Sequence, residues 1–127
     1  TRIKKERESR LEVRKNYVDT GNSNFRFYNK SSASMNEIKD GEVDLIFTSP
    51  PYWNKRKYTE NGGLGNEKKP NDYVSNLVSH LDDCKRVLNE KGSFFLNLGD
   101  TFNDGNLMNI PHKVIIGLQD EGWILRK

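Results

Sequence analysis

Asp44-Leu45-Ile46-Phe47-Thr48-Ser49-Pro50-Pro51-Tyr52-Trp53 is the stretch whose reading decides the fold. With Val43 before it, the run Leu45, Ile46, Phe47 is short, apolar and rich in branched and aromatic residues. That is the pattern of a buried strand in a parallel sheet. The strand must end abruptly. Two successive prolines remove two backbone donors and fix two φ angles, so no ladder can continue through them. Ser49, Tyr52 and Trp53 are thus expected on a stiff turn at the carboxyl end of a strand. In open α/β sheets, ligands bind at that edge.

Downstream, Asn54 to Lys69 reads as a long loop holding Lys55, Arg56, Lys57, Tyr58, Lys68 and Lys69 with Gly62, Gly63 and Gly65. A loop of this length in a compact domain is usually functional or disordered. Basic residues beside aromatics suit a nucleic-acid backbone and an unstacked base. Pro70 to Asn89 has the clearest helical period: Tyr73, Val74, Leu77, Val78, Leu81, Cys84, Val87 and Leu88 share one face, and Gly92 follows as a stop signal. Cys84 falls on the apolar stripe and is read as core. His80 falls off it and is read as surface. Ser93 to Leu98 predicts another strand, followed by Gly99-Asp100-Thr101. Pro111 suits a helix start. Val114, Ile115 and Leu118 form that helix's inner stripe, with His112 in its first turn as a surface or capping residue. Gly122 ends it, and Trp123-Ile124-Leu125 opens a further strand.

Upstream, Phe25 to Tyr28 predicts a strand, and the Ser34/Glu37 spacing predicts a short helix over Met35 to Lys39. The β-α-β order suits parallel strands with crossovers. Residues 1–22 are a charged extension in which Arg2, Lys4, Lys5, Arg7, Arg10, Arg14 and Lys15 mix with Glu6, Glu8 and Glu12. A basic arm on DNA phosphates is one reading. The mixed signs favour a solvated extension.

The 127 residues suffice for one domain; charged residues make up 31%, hydrophobic residues 33%, and the net charge is +3. A mildly basic chain without a membrane-length apolar run or signal peptide is expected in the cytoplasm. The single cysteine excludes an internal disulfide and a cysteine-based metal cluster. Asp100, Asn103, Asp104 and Gly105 lack calcium-loop spacing, so no metal is expected.

Thr48-Ser49-Pro50-Pro51-Tyr52-Trp53 resembles the catalytic motif of amino-methylating DNA methyltransferases, and its serine makes it most similar to the cytosine-N4 type. Leu96-Asn97-Leu98-Gly99-Asp100-Thr101, Ile110-Pro111-His112-Lys113 and Gly122 to Arg126 resemble further segments of that family, in the same order. The resemblance implies a Rossmann-like α/β fold, mostly parallel with flanking helices, and S-adenosylmethionine as methyl donor. It assigns catalysis to Ser49, Pro50, Pro51 and Tyr52: the serine side chain and the Pro50 carbonyl accept from the target amine, and Tyr52 stacks on the flipped base. Trp53, Lys55, Arg56 and Lys57 are then expected to contact DNA. Asp100 is expected either to line the cofactor pocket or to cap a turn.

The family's Phe-x-Gly-x-Gly cofactor loop is missing from this sequence. In the permuted class it follows a target-recognition region. Residues 23–127 are therefore expected to be the catalytic half of a partial domain, in a chain that starts at Thr1 and stops as a strand begins. The other half would come from a longer chain or a second one, or the fragment would self-associate. The expected function is cytosine-N4 methylation of DNA in a restriction-modification system; adenine-N6 methylation is the alternative within the class. A nucleic-acid-binding module or an inactive fragment is the alternative outside it. Carbon-5 methylation is disfavoured, because it needs a cysteine nucleophile and Cys84 lies mid-helix.

Overall fold

The computed structural model describes residues 26–57, 60 and 62–127. Contacts divide the chain into residues 1–30 and 31–127. In the first unit, residues 26–30 are exposed and carry no regular structure, so Arg26 to Tyr28 do not form the expected strand. The rest of the charged extension, and Phe25, lie outside the described residues.

In the second unit, β1 spans Val43–Thr48 and β2 spans Leu88–Leu96. They pair in parallel, with Ile46 opposite Phe94 and Thr48 opposite Leu96. The Asn97 amide prolongs the pairing by donating to the Thr48 carbonyl at 2.9 Å. The predicted β2 started at Ser93 and ran to Leu98. The observed strand starts earlier because Leu88 already pairs with Val43. Between that pair and the next, Leu45 with Ser93, Asp44 alone faces Asn89 to Gly92. Gly92 thus lies in an irregular stretch of strand, with the Leu88 side chain over it, and does not stop a helix.

The crossover holds α1, Pro70–His80, and α2, Asp82–Val87, where a single helix to Asn89 was expected. The break sits at Leu81. Its amide is shared between the Leu77 and Val78 carbonyls, and the Cys84 amide turns back to the Leu81 carbonyl at 3.1 Å. Asp82 and Asp83 then occupy the first turn of α2, where carboxylates favour a helix start.

Past β2 comes a short antiparallel hairpin, β3 (Phe102–Asn103) with β4 (Asn106–Leu107), that periodicity had not predicted. It leads into α3, Ile110–Asp120. At the end of α3, the Trp123 amide reaches back to the Leu118 carbonyl at 3.0 Å and closes the helix. Residues 123–127 form no strand. Trp123 instead packs its ring on Phe94 of β2, with centroids 5.0 Å apart.

The core lies between one face of the sheet and the helices. Trp53, Tyr73, Leu77, Leu81, Cys84, Ile110, Val114 and Leu118 form it, with Ile46, Phe94 and Leu96 of the sheet packed against them. On the opposite face, Leu45, Phe47 and Phe95 are exposed.

Met35 to Lys39 forms turns and no helix. The Ser34 hydroxyl donates to the Asn36 side-chain oxygen at 3.2 Å. Arg86 of α2 holds the segment: it donates to the carbonyls of Met35 and Ile38 and to the carboxylates of Asp40 and Asp83. Those carboxylates push its pKa further up.

Candidate active site

Parallel pairing puts the carboxyl ends of β1 and β2 at one sheet edge. Ser49 to Tyr52 leaves β1 there, and Gly99-Asp100 follows β2 to the same edge. The two segments meet directly. A Cβ built on Gly99 would stand 2.7 Å from the Tyr52 ring, so the tyrosine occupies the space a side chain would need. The exposed Ser49 hydroxyl donates to the Tyr52 hydroxyl over a long 3.4 Å. A serine oxygen used as a donor keeps its lone pairs for an incoming donor.

The turn is braced from below. Tyr73, at the start of α1 and wholly buried, donates its hydroxyl to the Pro51 carbonyl at 2.8 Å. Burial, with the negative charge of Glu67 and the nearby Tyr52, pushes the Tyr73 pKa up. Among the described residues, none donates to the Pro50 carbonyl. The chain then folds back on itself. The Asn54 amide donates to the Gly65 carbonyl at 2.9 Å, and Asn54 and Gly65 both take positive φ angles. Gly65 is also cramped: a Cβ there would lie 3.0 Å from the Tyr52 carbonyl oxygen.

Trp53 is not at the surface. It is 4% exposed, and its indole N–H donates to the Glu67 carbonyl at 2.9 Å. The expectation that it contacts DNA is corrected here: a large ring beside an apolar helix stripe gains more from burial, provided its N–H finds an acceptor. Glu67 was missed in the sequence. Its carboxylate ties the Gly65 amide to the Asn76 side chain of α1. Lys55, Arg56 and Lys57 are exposed next to the turn.

Asp100 caps the start of the last helix with one of its two carboxylate oxygens. Its Oδ1 accepts from the Thr101 amide at 2.8 Å and from the Ile110 amide, at the start of α3, at 3.0 Å. Asn109 precedes that helix in a left-handed conformation and supplies no side-chain cap, which is why a carboxylate ten residues earlier is needed. His80, read as a surface residue, pairs with the Ser32 hydroxyl at 3.2 Å. Cys84 is buried in the core, and burial raises its pKa.

A cleft of about 670 Å³ is lined by Leu64, Asn66, Glu67, Asn76, Ser79 and His80 among others, and by none of the Ser49 to Tyr52 turn. Among the described residues, no group of three or more His, Cys, Asp or Glu could hold a metal ion, and no helix is long and apolar enough to cross a membrane.

Residues 43–127 match the DNA methylase family. The chain is 33% identical over 92 residues to the Type II methyltransferase M.MwoI of Methanothermobacter wolfeii, covering 69% of this chain and 14% of that protein. It is 31% identical over 117 residues to the Type II methyltransferase M.SmaI of Serratia marcescens, covering 68% of this chain and 40% of that protein. For M.SfiI of Streptomyces fimbriatus the identity is 33% over 107 residues, covering 71% of this chain and 25% of that protein. The chain thus spans well under half the length of these relatives. No solved structure matches it.

Proposed function

The chain belongs to the DNA methylase family, and from that premise we propose that it is the catalytic portion of a DNA methyltransferase acting on the exocyclic N4 of cytosine, as the modifying partner in a restriction-modification system. The observation that carries this reading is the meeting of Ser49 and Tyr52 at the carboxyl end of β1, with the Tyr52 ring against Gly99. The remainder of a Rossmann-like domain, with its cofactor-gripping loop, is proposed to come from outside these 127 residues, as the greater length of the relatives supports.

An exocyclic amine is a poor nucleophile because its lone pair is conjugated into the ring. In the proposed mechanism, the Ser49 oxygen and the Pro50 carbonyl accept from its two N–H groups and favour a localised lone pair. Preorganised polar groups of this kind cost no reorganisation as charge develops. Tyr52 offers an aromatic face to a base lifted out of the duplex. The exposed Lys55, Arg56 and Lys57 are proposed to meet DNA phosphates.

S-adenosylmethionine, when bound, supplies the electrophilic methyl group. The edge fits its reacting end only in part. Asp100 commits Oδ1 to the α3 start, and among the described residues no donor meets Oδ2. That oxygen is the group of this chain proposed to reach the cofactor. The serine in the motif supports cytosine over adenine.

Digesting DNA methylated by the intact protein to nucleosides tests the proposal. N4-methylcytosine is expected. N6-methyladenine would move the specificity to adenine, and 5-methylcytosine would overturn the mechanism.

A further inference from the structure

The backbone between Ser49 and Tyr52 has almost no free torsions. Pro50 and Pro51 fix their own φ angles. Ser49 and Pro50 each precede a proline, which confines their ψ angles to the extended region. One torsion before Tyr52 remains open: ψ of Pro51. It turns the Pro51 carbonyl and, on the same peptide plane, the amide of Tyr52.

That carbonyl is the one the buried Tyr73 hydroxyl grips at 2.8 Å. Packing alone does not call for the hydroxyl, since a phenylalanine would fill the same stripe of α1. The phenol is also kept protonated, and so a donor, by its burial and by Glu67. Gly65 closes on the same turn from the returning loop, where a Cβ would lie 3.2 Å from the Pro51 Cβ.

We infer that Tyr73 is a positioning residue for the methyl transfer proposed above: its hydroxyl locks ψ of Pro51 and so holds the Tyr52 ring beside the Ser49 hydroxyl, where the target base must seat. The inference rests on the methyltransferase reading. It assigns to α1 a part in the reaction beyond packing.

The test is Tyr73→Phe in the intact enzyme. Single-turnover methyl transfer is measured at saturating DNA and S-adenosylmethionine, with the two dissociation constants measured separately. A 2-aminopurine at the target position reports base seating by fluorescence. Transfer is expected to slow tenfold or more with both dissociation constants within twofold of wild type, and the 2-aminopurine signal is expected to fall. Pro51→Ala frees φ beside the same carbonyl without touching the core, and should reproduce this pattern. Tyr73→Phe or Pro51→Ala transferring at the wild-type rate, even with a lowered Tm, would make Tyr73 a packing residue and overturn the inference. If the unmutated enzyme methylates no DNA, the parent reading fails first. If it methylates and Tyr73→Phe keeps pace with it, only the present inference falls.

Discussion

The Tyr52 ring lies where a side chain at Gly99 would have to be: a methyl group there would stand 2.7 Å from Cε2 and 3.0 Å from Cδ2. Two segments 47 residues apart in the chain therefore share one surface at the end of the sheet. Gly99 does not take a positive φ, so alanine is acceptable to its backbone and the strain falls on the ring. Gly99→Ala should displace Tyr52 and weaken base seating. Loss of a stacking contact costs about 1–3 kcal/mol. The expected outcome is a roughly tenfold or greater loss in methyl transfer with an unchanged fold, checked by single-turnover kinetics beside circular dichroism.

Ser49 should act differently from Gly99. Its side chain is exposed and contributes no packing, so Ser49→Ala should leave Tm unchanged. Removing one preorganised hydrogen-bonding group at a reacting centre typically costs about a hundredfold or more in rate. Methyl transfer should fall by that order, while DNA binding, proposed to rest on Lys55, Arg56 and Lys57, should hold. A Ser49→Ala enzyme with the wild-type transfer rate would remove the serine from the mechanism.

Several of these relationships were legible in the sequence because they are local. The apolar run ending in Pro50-Pro51 marked β1 and its stop, and the period through Tyr73 and Leu77 marked α1. The parallel pairing followed from their order. What escaped was decided by single long-range partners. Met35 to Lys39 carries a capping pattern, yet Arg86 satisfies its carbonyls from another element. The α3 start depends on Asp100 because Asn109 does not cap it. Trp53 looked like a surface aromatic because nothing in its neighbourhood announced that the Glu67 carbonyl would accept its N–H.

The Arg86 hub predicts a local change. Arg86→Gln keeps the helix but cannot reach four acceptors in the same fork geometry. Hydrogen exchange should accelerate at Met35, whose amide bonds to Asp83, and at Ile38 and Gly41 nearby. Protection of the β1 and β2 amides should persist. Mass-spectrometric exchange on peptides covering residues 31–42 reads this directly.

Alkaline pH should destabilise the fold in a defined window. The folded-state pKa values of Tyr73 and Cys84 are raised, both chiefly by burial. Each group therefore stays neutral in the folded chain while the unfolded chain loses its proton. The unfolded state binds fewer protons above those ordinary values, so stability falls as pH rises. The fall should begin as pH passes about 9, the ordinary thiol value, and steepen past 10, the phenol value. Thermal unfolding between pH 8 and pH 11 measures it. Tyr73→Phe should flatten the upper part of that decline, whatever it does to the plateau below.

The bare side of the sheet makes the last prediction. Phe47 is 74% exposed and Phe95 54%, their ring centroids 6.4 Å apart, with Leu45 beside them on β1. These residues alternate with Ile46, Phe94 and Leu96, which face the core, so the pattern is that of strands buried on both sides, with one side covered by the described residues. A contiguous apolar patch of this kind is a site of association. A polypeptide of residues 1–127 is expected to self-associate at micromolar concentration, with sedimentation velocity showing species larger than 14.7 kDa. Phe47→Lys places a charge in the middle of the patch without disturbing the core face. It should shift the distribution to monomer while circular dichroism stays unchanged. A wild-type polypeptide that remains monomeric across that range would mean that this face does not drive association.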